Sequence, residues 1–291
     1  MQSETPVNSP SLIHNGVLCH APEARVAVTD RAIRWGQGVF ETLAAYDGRP
    51  FLTESHLKRL RQAAGMLDLH CPCDTILIEA MDSVLQSSGL DVVGRSRLRI
   101  TLTSPSETQG NPPSGPPESW FIEASPLPNH PERAAVITIP FVRNDRSALT
   151  GLKTINYGEN VIALKLAAEA GADEALFANT RDLLCEGTWS NVFVYHEGTY
   201  LTPPLSAGCL PGVTRALVLD LCRDLGITVR EFDFPMGRLA EIEGAFLTSS
   251  LREIQVIFSL DGRPLNDPPG VTLIRDAYRS QVERYCHGSS T

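Results

Sequence analysis

A chain of 291 residues is long enough for two domains, each with its own core. Hydrophobic residues make up 42% and charged residues 20%, ordinary for a soluble globular protein, and no apolar run approaches the roughly 20 residues that span a membrane. The net charge of −9 excludes a general nucleic-acid binder, which needs a basic face to displace counterions.

Residues 1–10 are polar, with neither a basic start nor an apolar stretch, so no secretory leader is expected and the cytoplasm is the expected compartment. Segments 26–29 and 39–46 read as strands. Thr53 is placed to cap a helix whose apolar side runs Leu57, Leu60, Ala64 and Leu67. A second helix is expected over 75–86. Residues 97–103 alternate as a strand, with Leu98, Ile100 and Leu102 on one face, and 120–124 is another strand. Between them, 104–118 holds four prolines after position 110 together with Gly110 and Gly115, the composition of a mobile loop. The proline-rich stretch 126–131 reads as an interdomain connection. Beyond it come a strand over 134–142, a helix over 159–170, and strands over 174–178, 191–195 and 200–202. Pro211-Gly212 opens a helix over 213–225, strands follow over 245–248 and 254–258, and a helix over 271–285 closes the chain. Helices and strands mix without strict alternation, so the fold class is α+β.

Seven cysteines lie at irregular spacing, and Cys71-Pro72-Cys73 is too tight for a zinc knuckle. No metal site is expected, and the cysteines read as free thiols in a reducing compartment. The basic residues say more. Of 25, only Lys58, Lys153 and Lys165 are lysines. Arginine stays protonated and cannot form an imine, so any imine chemistry must use one of these three. Lys58 lies on the polar side of an amphipathic helix, and Lys165 lies one turn before Glu169, where an ion pair would form. Lys153 has no helical pattern around it.

An ordered series of segments surrounds Lys153. Gly151-Leu152-Lys153-Thr154-Ile155-Asn156-Tyr157 is followed by Ala170-Gly171-Ala172-Asp173-Glu174-Ala175 and Cys185-Glu186-Gly187-Thr188-Trp189-Ser190-Asn191. Leu201-Thr202-Pro203-Pro204-Leu205 and Leu210-Pro211-Gly212-Val213-Thr214-Arg215 come next. Upstream stand Asp30-Arg31-Ala32-Ile33-Arg34-Trp35-Gly36-Gln37-Gly38-Val39-Phe40-Glu41-Thr42 and His56-Leu57-Lys58-Arg59-Leu60. From about residue 25 to 260 the chain resembles the class IV, or fold type IV, pyridoxal-phosphate-dependent aminotransferases. That group includes branched-chain and D-amino-acid aminotransferases and aminodeoxychorismate lyases.

The resemblance implies a small α/β domain over 1–129 and a larger pseudo-barrel α/β domain over 133–291 that carries the Schiff-base lysine. It implies pyridoxal 5'-phosphate as cofactor and a homodimer as the assembly. Lys153 matches the Schiff-base lysine, a role that chemistry gives to a primary amine able to lose its proton. Glu186 matches the carboxylate that faces the cofactor's pyridine nitrogen. Val213 and Thr214, at a helix N-terminus, match the phosphate site, and Arg59 matches the phosphate arginine. Ser250, within Thr248-Ser249-Ser250-Leu251, is the implied hydroxyl donor to phosphate and substrate carboxylate. Tyr157 is either a hydrogen-bond partner of the cofactor's ring oxygen or a packed core tyrosine. Trp35, Phe40 and Leu251 are expected as an apolar substrate wall, and Arg99 as a substrate-binding arginine.

The resemblance is uneven at the substrate positions. Branched-chain aminotransferases carry Tyr-x-Arg where this chain has Arg97-Leu98-Arg99. The carboxylate-binding arginine of the best-known D-amino-acid aminotransferases is absent, because Thr103-Ser104-Pro105 stands in its place. Many relatives have a proline where this chain has Val256. The leading expectation is a transaminase moving an amino group between a small, branched-chain-like amino acid and a 2-oxo acid. The alternative is an aminodeoxychorismate lyase releasing pyruvate and 4-aminobenzoate, since some of those lyases resemble Arg97-Leu98-Arg99 and Thr248-Ser249-Ser250-Leu251-Arg252-Glu253-Ile254 at least as well. A non-catalytic pyridoxal-phosphate carrier is disfavoured by Glu186, since storage has no use for an electron sink.

Overall fold

The computed structural model describes residues 11–92, 94–104, 119–127 and 129–288. Residues 1–10 and, apart from Ser104, the proline-rich loop 104–118 lie outside the described residues. The chain divides into two compact units.

The first unit holds the described residues of Met1–Pro128, together with Lys153–Asn156 and those of Tyr285–Thr291. Its strands are β1 (Ser11–His14), β2 (Val17–His20), β3 (Gly38–Tyr46), β4 (Arg49–Pro50), β5 (Arg95–Thr103) and β6 (Ser119–Pro126). They form an antiparallel sheet in the order β2-β1-β6-β5-β3-β4. Period-two patterning makes β5 what it is: Leu98, Ile100 and Leu102 are fully buried, while Arg95, Arg97 and Arg99 are half-buried on the other face. Three helices join the sheet: α1 (Arg31–Trp35), α2 (Thr53–Met66) and α3 (Asp74–Ser87). Helix α2 turns Leu57, Leu60, Ala63 and Ala64 inward and packs on β3. Helix α3 buries Leu77, Ala80, Met81, Val84 and Leu85 and packs on β6 and β1.

Two expectations fail here. Residues 26–29 form no strand: Val28 is 80% exposed and sits in a turn, so the apolar residues of this stretch have no face to bury. Thr53 is not the cap of α2 but its first helical residue. Leu52 holds the cap position in a left-handed conformation, and the Thr53 hydroxyl donates to the Pro50 carbonyl at 2.9 Å.

The second unit holds Asn129–Leu152 and Tyr157–Arg284. Its strands are β7 (Arg133–Arg143), β8 (Glu174–Asn179), β9 (Leu184–Gly187), β10 (Asn191–His196), β11 (Thr199–Thr202), β12 (Val229–Glu231), β13 (Gly244–Ser249), β14 (Glu253–Leu260) and β15 (Arg263–Pro264). They form one curled sheet in the order β12-β11-β10-β13-β14-β7-β8-β9, with β15 beside β14. The pairs β11–β12, β14–β7 and β7–β8 are parallel and the others antiparallel, the mixture expected of an α+β fold. Val136, Leu176, Leu184, Val192, Val194, Leu247 and Ile257 make a continuous apolar core. The helices are α4 (Gly158–Glu169), α5 (Val213–Asp224) and α6 (Val271–His287), whose last residues from Tyr285 group with the first unit. Among the described residues no helix is long and apolar enough to cross a membrane.

The β3–β4 turn uses Asp47-Gly48, both with positive φ, as tight hairpins require. A Cβ on Gly48 would lie 2.4 Å from the backbone oxygen of Asp91, which cannot swing aside as a side chain would. Gly48→Ala is expected to cost about 1–3 kcal/mol, read in urea unfolding as a lower midpoint at an unchanged m-value.

Candidate active site

Lys153 is placed by backbone pairing with β3. The Phe40 N–H donates to the Lys153 carbonyl at 2.9 Å, and the Ile155 N–H donates to the Gly38 carbonyl at 3.0 Å. Val39 and Thr154 form the antiparallel bridge between these two bonds. Lys153 therefore stands opposite Phe40, and cross-strand partners share a face. The side chains agree. Lys153 Nζ lies 4.4 Å from the centroid of the Phe40 ring, and the Arg99 guanidinium carbon lies 3.8 Å from the same centroid. Phe40 is only 2% exposed. Three residues expected at the site, Phe40, Arg99 and Lys153, are thus brought together. Arg99 Nε is also 3.9 Å from Glu123 on the neighbouring strand.

Residue 41 points to the other face of β3 and meets α2. The Glu41 carboxylate, fully buried, accepts from Arg59 Nε at 2.6 Å and Nη2 at 2.8 Å, with His56 Nδ1 at 2.7 Å. Burial alone pushes the Glu41 carboxyl up. The Arg59 charge and hydrogen bonds, with those of His56, outweigh it and hold Glu41 far below the usual carboxylate range. Burial also drives His56 below its ordinary value; Glu41 opposes that fall, and the Arg59 and Lys153 cations add to it. His56 is therefore neutral at pH 7. Because an ionised carboxylate can only accept, the His56 proton sits on Nδ1. Arg59, expected at a phosphate, has two of its nitrogens on Glu41.

In the second unit Glu186 lies on β9, a short strand that the sequence pattern did not reveal. Its carboxylate accepts from Arg143 Nε at 3.1 Å and from the Leu210 N–H at 2.8 Å. Leu210 leads through Pro211 to Gly212, the cap residue of α5, which makes no side-chain cap. A Cβ on Gly212 would lie 1.9 Å from Asn191 Oδ1, while Asn191 Nδ2 donates to the Leu210 carbonyl at 2.9 Å. The Asn191 side chain thus lies directly against the approach to α5. Val213 and Thr214 are both buried in its first turn, where backbone N–H groups have no partner inside the helix. Asn191 pairs with Thr248 across β10 and β13. The buried hydroxyls of Thr248 and Thr188 have no hydrogen-bond partner among the described residues. Ser250 and Leu251 occupy the turn between β13 and β14, both half-buried. Arg252, which ends that turn, reaches the fully buried Glu174 at 2.6 Å, and Glu174 also accepts from the Trp189 N–H and the Ser190 hydroxyl.

Tyr157 caps α4 with its ring 5.3 Å from that of Trp189. Trp35 is 66% exposed, with Arg31 over its ring at 5.2 Å. Lys58 and Lys165 are exposed on helices, and Lys165 makes its i,i+4 pair with Glu169 at 3.7 Å. Among the described residues no group of three or more His, Cys, Asp or Glu could hold a metal ion. Sequence reasoning passed over Glu41 as a charge partner and Arg143, and named Thr248 only as part of the turn that carries Ser250. Glu41 was legible in principle as a glutamate inside an apolar strand, whereas nothing near Arg143 marks it.

Glu41→Gln leaves Arg59 buried without its counter-charge and is expected to cost about 3–5 kcal/mol in urea unfolding. Both depressed groups act in one direction. Their contributions are complete above the ordinary values and are lost as pH falls, His56 from about 6.5 downward and Glu41 at lower pH. Wild-type stability should therefore decline below about pH 6.5, and His56→Gln should flatten the curve between about 4.5 and 6.5. An unchanged slope in that interval would remove His56 from the account.

The amino-transferase class IV family pattern matches residues 38–260. A putative branched-chain-amino-acid aminotransferase of Methanocaldococcus jannaschii is 31% identical over 258 residues, covering 87% of this chain and 88% of that protein. A bifunctional aminodeoxychorismate lyase / D-amino acid transaminase of Mycobacterium tuberculosis is 28% identical over 261 residues, covering 82% and 87%. A solved structure of a hypothetical aminotransferase from Mycobacterium tuberculosis, in an alpha-ketoglutarate and PMP bound form, superposes with a TM-score of 0.83 at 25% identity, covering 94% of this chain and 98% of that one. This chain belongs to the class IV aminotransferases, enzymes of pyridoxal-phosphate-dependent transamination with the type IV fold.

Proposed function

We propose that this protein is a pyridoxal-phosphate-dependent aminotransferase that moves an amino group between a small, branched-chain-like amino acid and a 2-oxo acid, with Lys153 as its reactive amine. The observation that carries this reading is the placement of Lys153. It is the one lysine of three held by backbone pairing against a buried aromatic ring, while the other two lie exposed on helices. The donor set fits the cofactor: a primary amine, a carboxylate held from two sides, an uncapped helix N-terminus behind Pro211-Gly212, and buried hydroxyls at Thr188 and Thr248 still lacking partners among the described residues.

When bound, the cofactor supplies an electron sink for the charge left at the substrate's Cα and carries the amino group between substrates. Lys153 would hold the cofactor through its amine, and that amine would serve as general base and acid at the substrate's Cα. Glu186 stabilises the proton on the ring nitrogen. The first-turn N–H groups of Val213 and Thr214 bind the phosphate, as helix N-termini bind anions. Arg59, whose orientation Glu41 fixes, would bind phosphate through its planar guanidinium. Ser250 donates its hydroxyl to phosphate and substrate carboxylate, and Tyr157 meets the ring oxygen. Arg99 binds the substrate carboxylate, and Trp35, Phe40 and Leu251 form the apolar wall. We also infer domains over 1–129 and 133–291, a homodimer, and a cytoplasmic location, which the free cysteines among the described residues support.

A second reading, aminodeoxychorismate lyase, is favoured by one specific observation. Arg97 stands where the branched-chain enzymes carry tyrosine, on the same face of β5 as Arg99. The bifunctional relative is named for both activities.

Borohydride reduction of the holoenzyme followed by peptide mapping should place the pyridoxyl mass on Lys153 and on neither Lys58 nor Lys165. Label on either of those lysines alone would defeat the assignment. For the reaction, one small hydrophobic L-amino acid alone should bleach the visible absorption of the lysine-bound cofactor, and 2-oxoglutarate should restore it. Pyruvate release from aminodeoxychorismate without an acceptor, with no bleaching by any L- or D-amino acid, would establish the lyase instead.

A further inference from the structure

Arg143 ends β7, and its side chain joins three groups. Nε donates to Glu186 Oε1 at 3.1 Å, and Nη1 donates to Glu159 Oε2 at 3.0 Å. Its guanidinium carbon lies 3.9 Å from the ring centroid of Phe177, which is the cross-strand partner of Glu186. The Arg143 and Glu186 side chains are only 16% and 13% exposed, whereas Glu159 is 67% exposed. The Arg143–Glu186 pair is therefore poorly screened, and Glu159 steadies the far end of the guanidinium from solvent. The Leu210 N–H donates to the second oxygen of Glu186 at 2.8 Å.

We propose that Arg143 is a positioning residue that fixes where the proton lies between Glu186 and the cofactor's ring nitrogen. The inference rests on the proposed contact between Glu186 and that nitrogen. A proton shared by the two can sit on the carboxyl oxygen or on the nitrogen. On the oxygen it lies closer to the Arg143 cation; on the nitrogen it lies farther away, and the carboxylate keeps its charge opposite the guanidinium. Coulomb repulsion therefore drives the proton to the nitrogen. At an effective dielectric constant of about 20, a change of one or two ångströms in separation is worth on the order of tenfold in this equilibrium. The Leu210 N–H acts in the same sense, because a hydrogen bond to the charged carboxylate favours that form. The Phe177 ring holds the guanidinium in place as a stacking surface. A role limited to tying β7 to β9 and α4 would leave the proton where it is.

The test uses holoenzyme reconstituted with pyridoxal phosphate carrying a nitrogen-15 ring atom, observed by NMR in wild type, E186Q, R143M and R143K. E186Q and R143M should both move the ring resonance downfield, toward unprotonated pyridine. R143K, which keeps the charge, should stay near wild type. Exchange of the substrate's α-deuterium should slow about tenfold in R143M and much less in R143K. If R143M does not take up the cofactor, R143Q keeps an N–H donor without the charge, and its resonance must move downfield as well. A resonance unmoved in E186Q would overturn the contact between Glu186 and the ring, and this inference with it. A resonance that moves in E186Q but stays in both R143M and R143Q overturns the role of Arg143 alone.

Discussion

Two backbone hydrogen bonds on one edge of β3 decide where Lys153 points. Along its other edge β3 pairs with β5 throughout, but β4 covers only Ala45 and Tyr46, leaving the edge from Gly38 to Phe40 open within the sheet. Residues 153–155 take that edge. Strand alternation then does the rest: opposite Phe40, Lys153 shares the face that carries Arg99 and Arg97. A slip of one residue in this short pairing would turn the amine to the face of Glu41. Two hydrogen bonds around one bridge thereby set the register of chain that is far from β3 in sequence.

The same alternation separates two kinds of chemistry on one strand. Phe40 offers a ring to two cations, while Glu41, its neighbour, buries a carboxylate that Arg59 and His56 compensate. The second unit repeats the device. Glu186 is held by Arg143, and Glu174, fully buried, by Arg252. Arg59, Arg143 and Arg252 are three of the chain's 22 arginines. A buried carboxylate needs a donor that keeps its charge and spreads its hydrogen bonds over a planar fork, and arginine does both. A lysine in those places would be a second amine among buried acids.

Most of the elements were legible because their periodicity is strong. The alternation of Leu98, Ile100 and Leu102 and the helical spacing of Leu57, Leu60 and Ala64 follow from faces that really are buried. Residues 26–29 misled because β-branched composition was present without a face to cover. β9 was missed because four residues, Leu184–Gly187, carry too little pattern to stand out, although Glu186 lies within them. The isolation of Lys153 from helical pattern could be read directly, but its register against β3 could not, since nothing local in 151–157 names a partner 113 residues upstream, at Phe40. Charge pairs were the least legible. Glu41 with Arg59 spans 18 positions, and Arg143 with Glu186 spans 43. Such pairs are decided by packing, and one sequence records them only as unexplained charges.

Cofactor and reaction are written in different parts of this chain. In the roles proposed for them, a lysine on a strand edge and a carboxylate backed by arginine would serve transamination and pyruvate elimination alike, because both reactions begin with charge developing at a carbon next to nitrogen. What separates them is how the substrate's acidic groups are held relative to that carbon. In the first unit, the face of β5 offers two cations for this. Arg97 and Arg99 stand two residues apart there, so their guanidinium groups lie on one side of the sheet, with Glu123 near Arg99. Arg97 Nε is buried without a hydrogen-bond partner among the described residues, a costly state for a charged donor unless an anion completes it. A tyrosine at this position would offer a single neutral hydroxyl instead. On the proposed reading, substrates with one carboxylate and an apolar side chain would use Arg99 and the ring of Phe40. Substrates with a second acidic group can use Arg97 as well. On that reading the choice between donor classes would turn on one side chain of β5, and the backbone pairing that places Lys153 lies elsewhere, on the edge of β3.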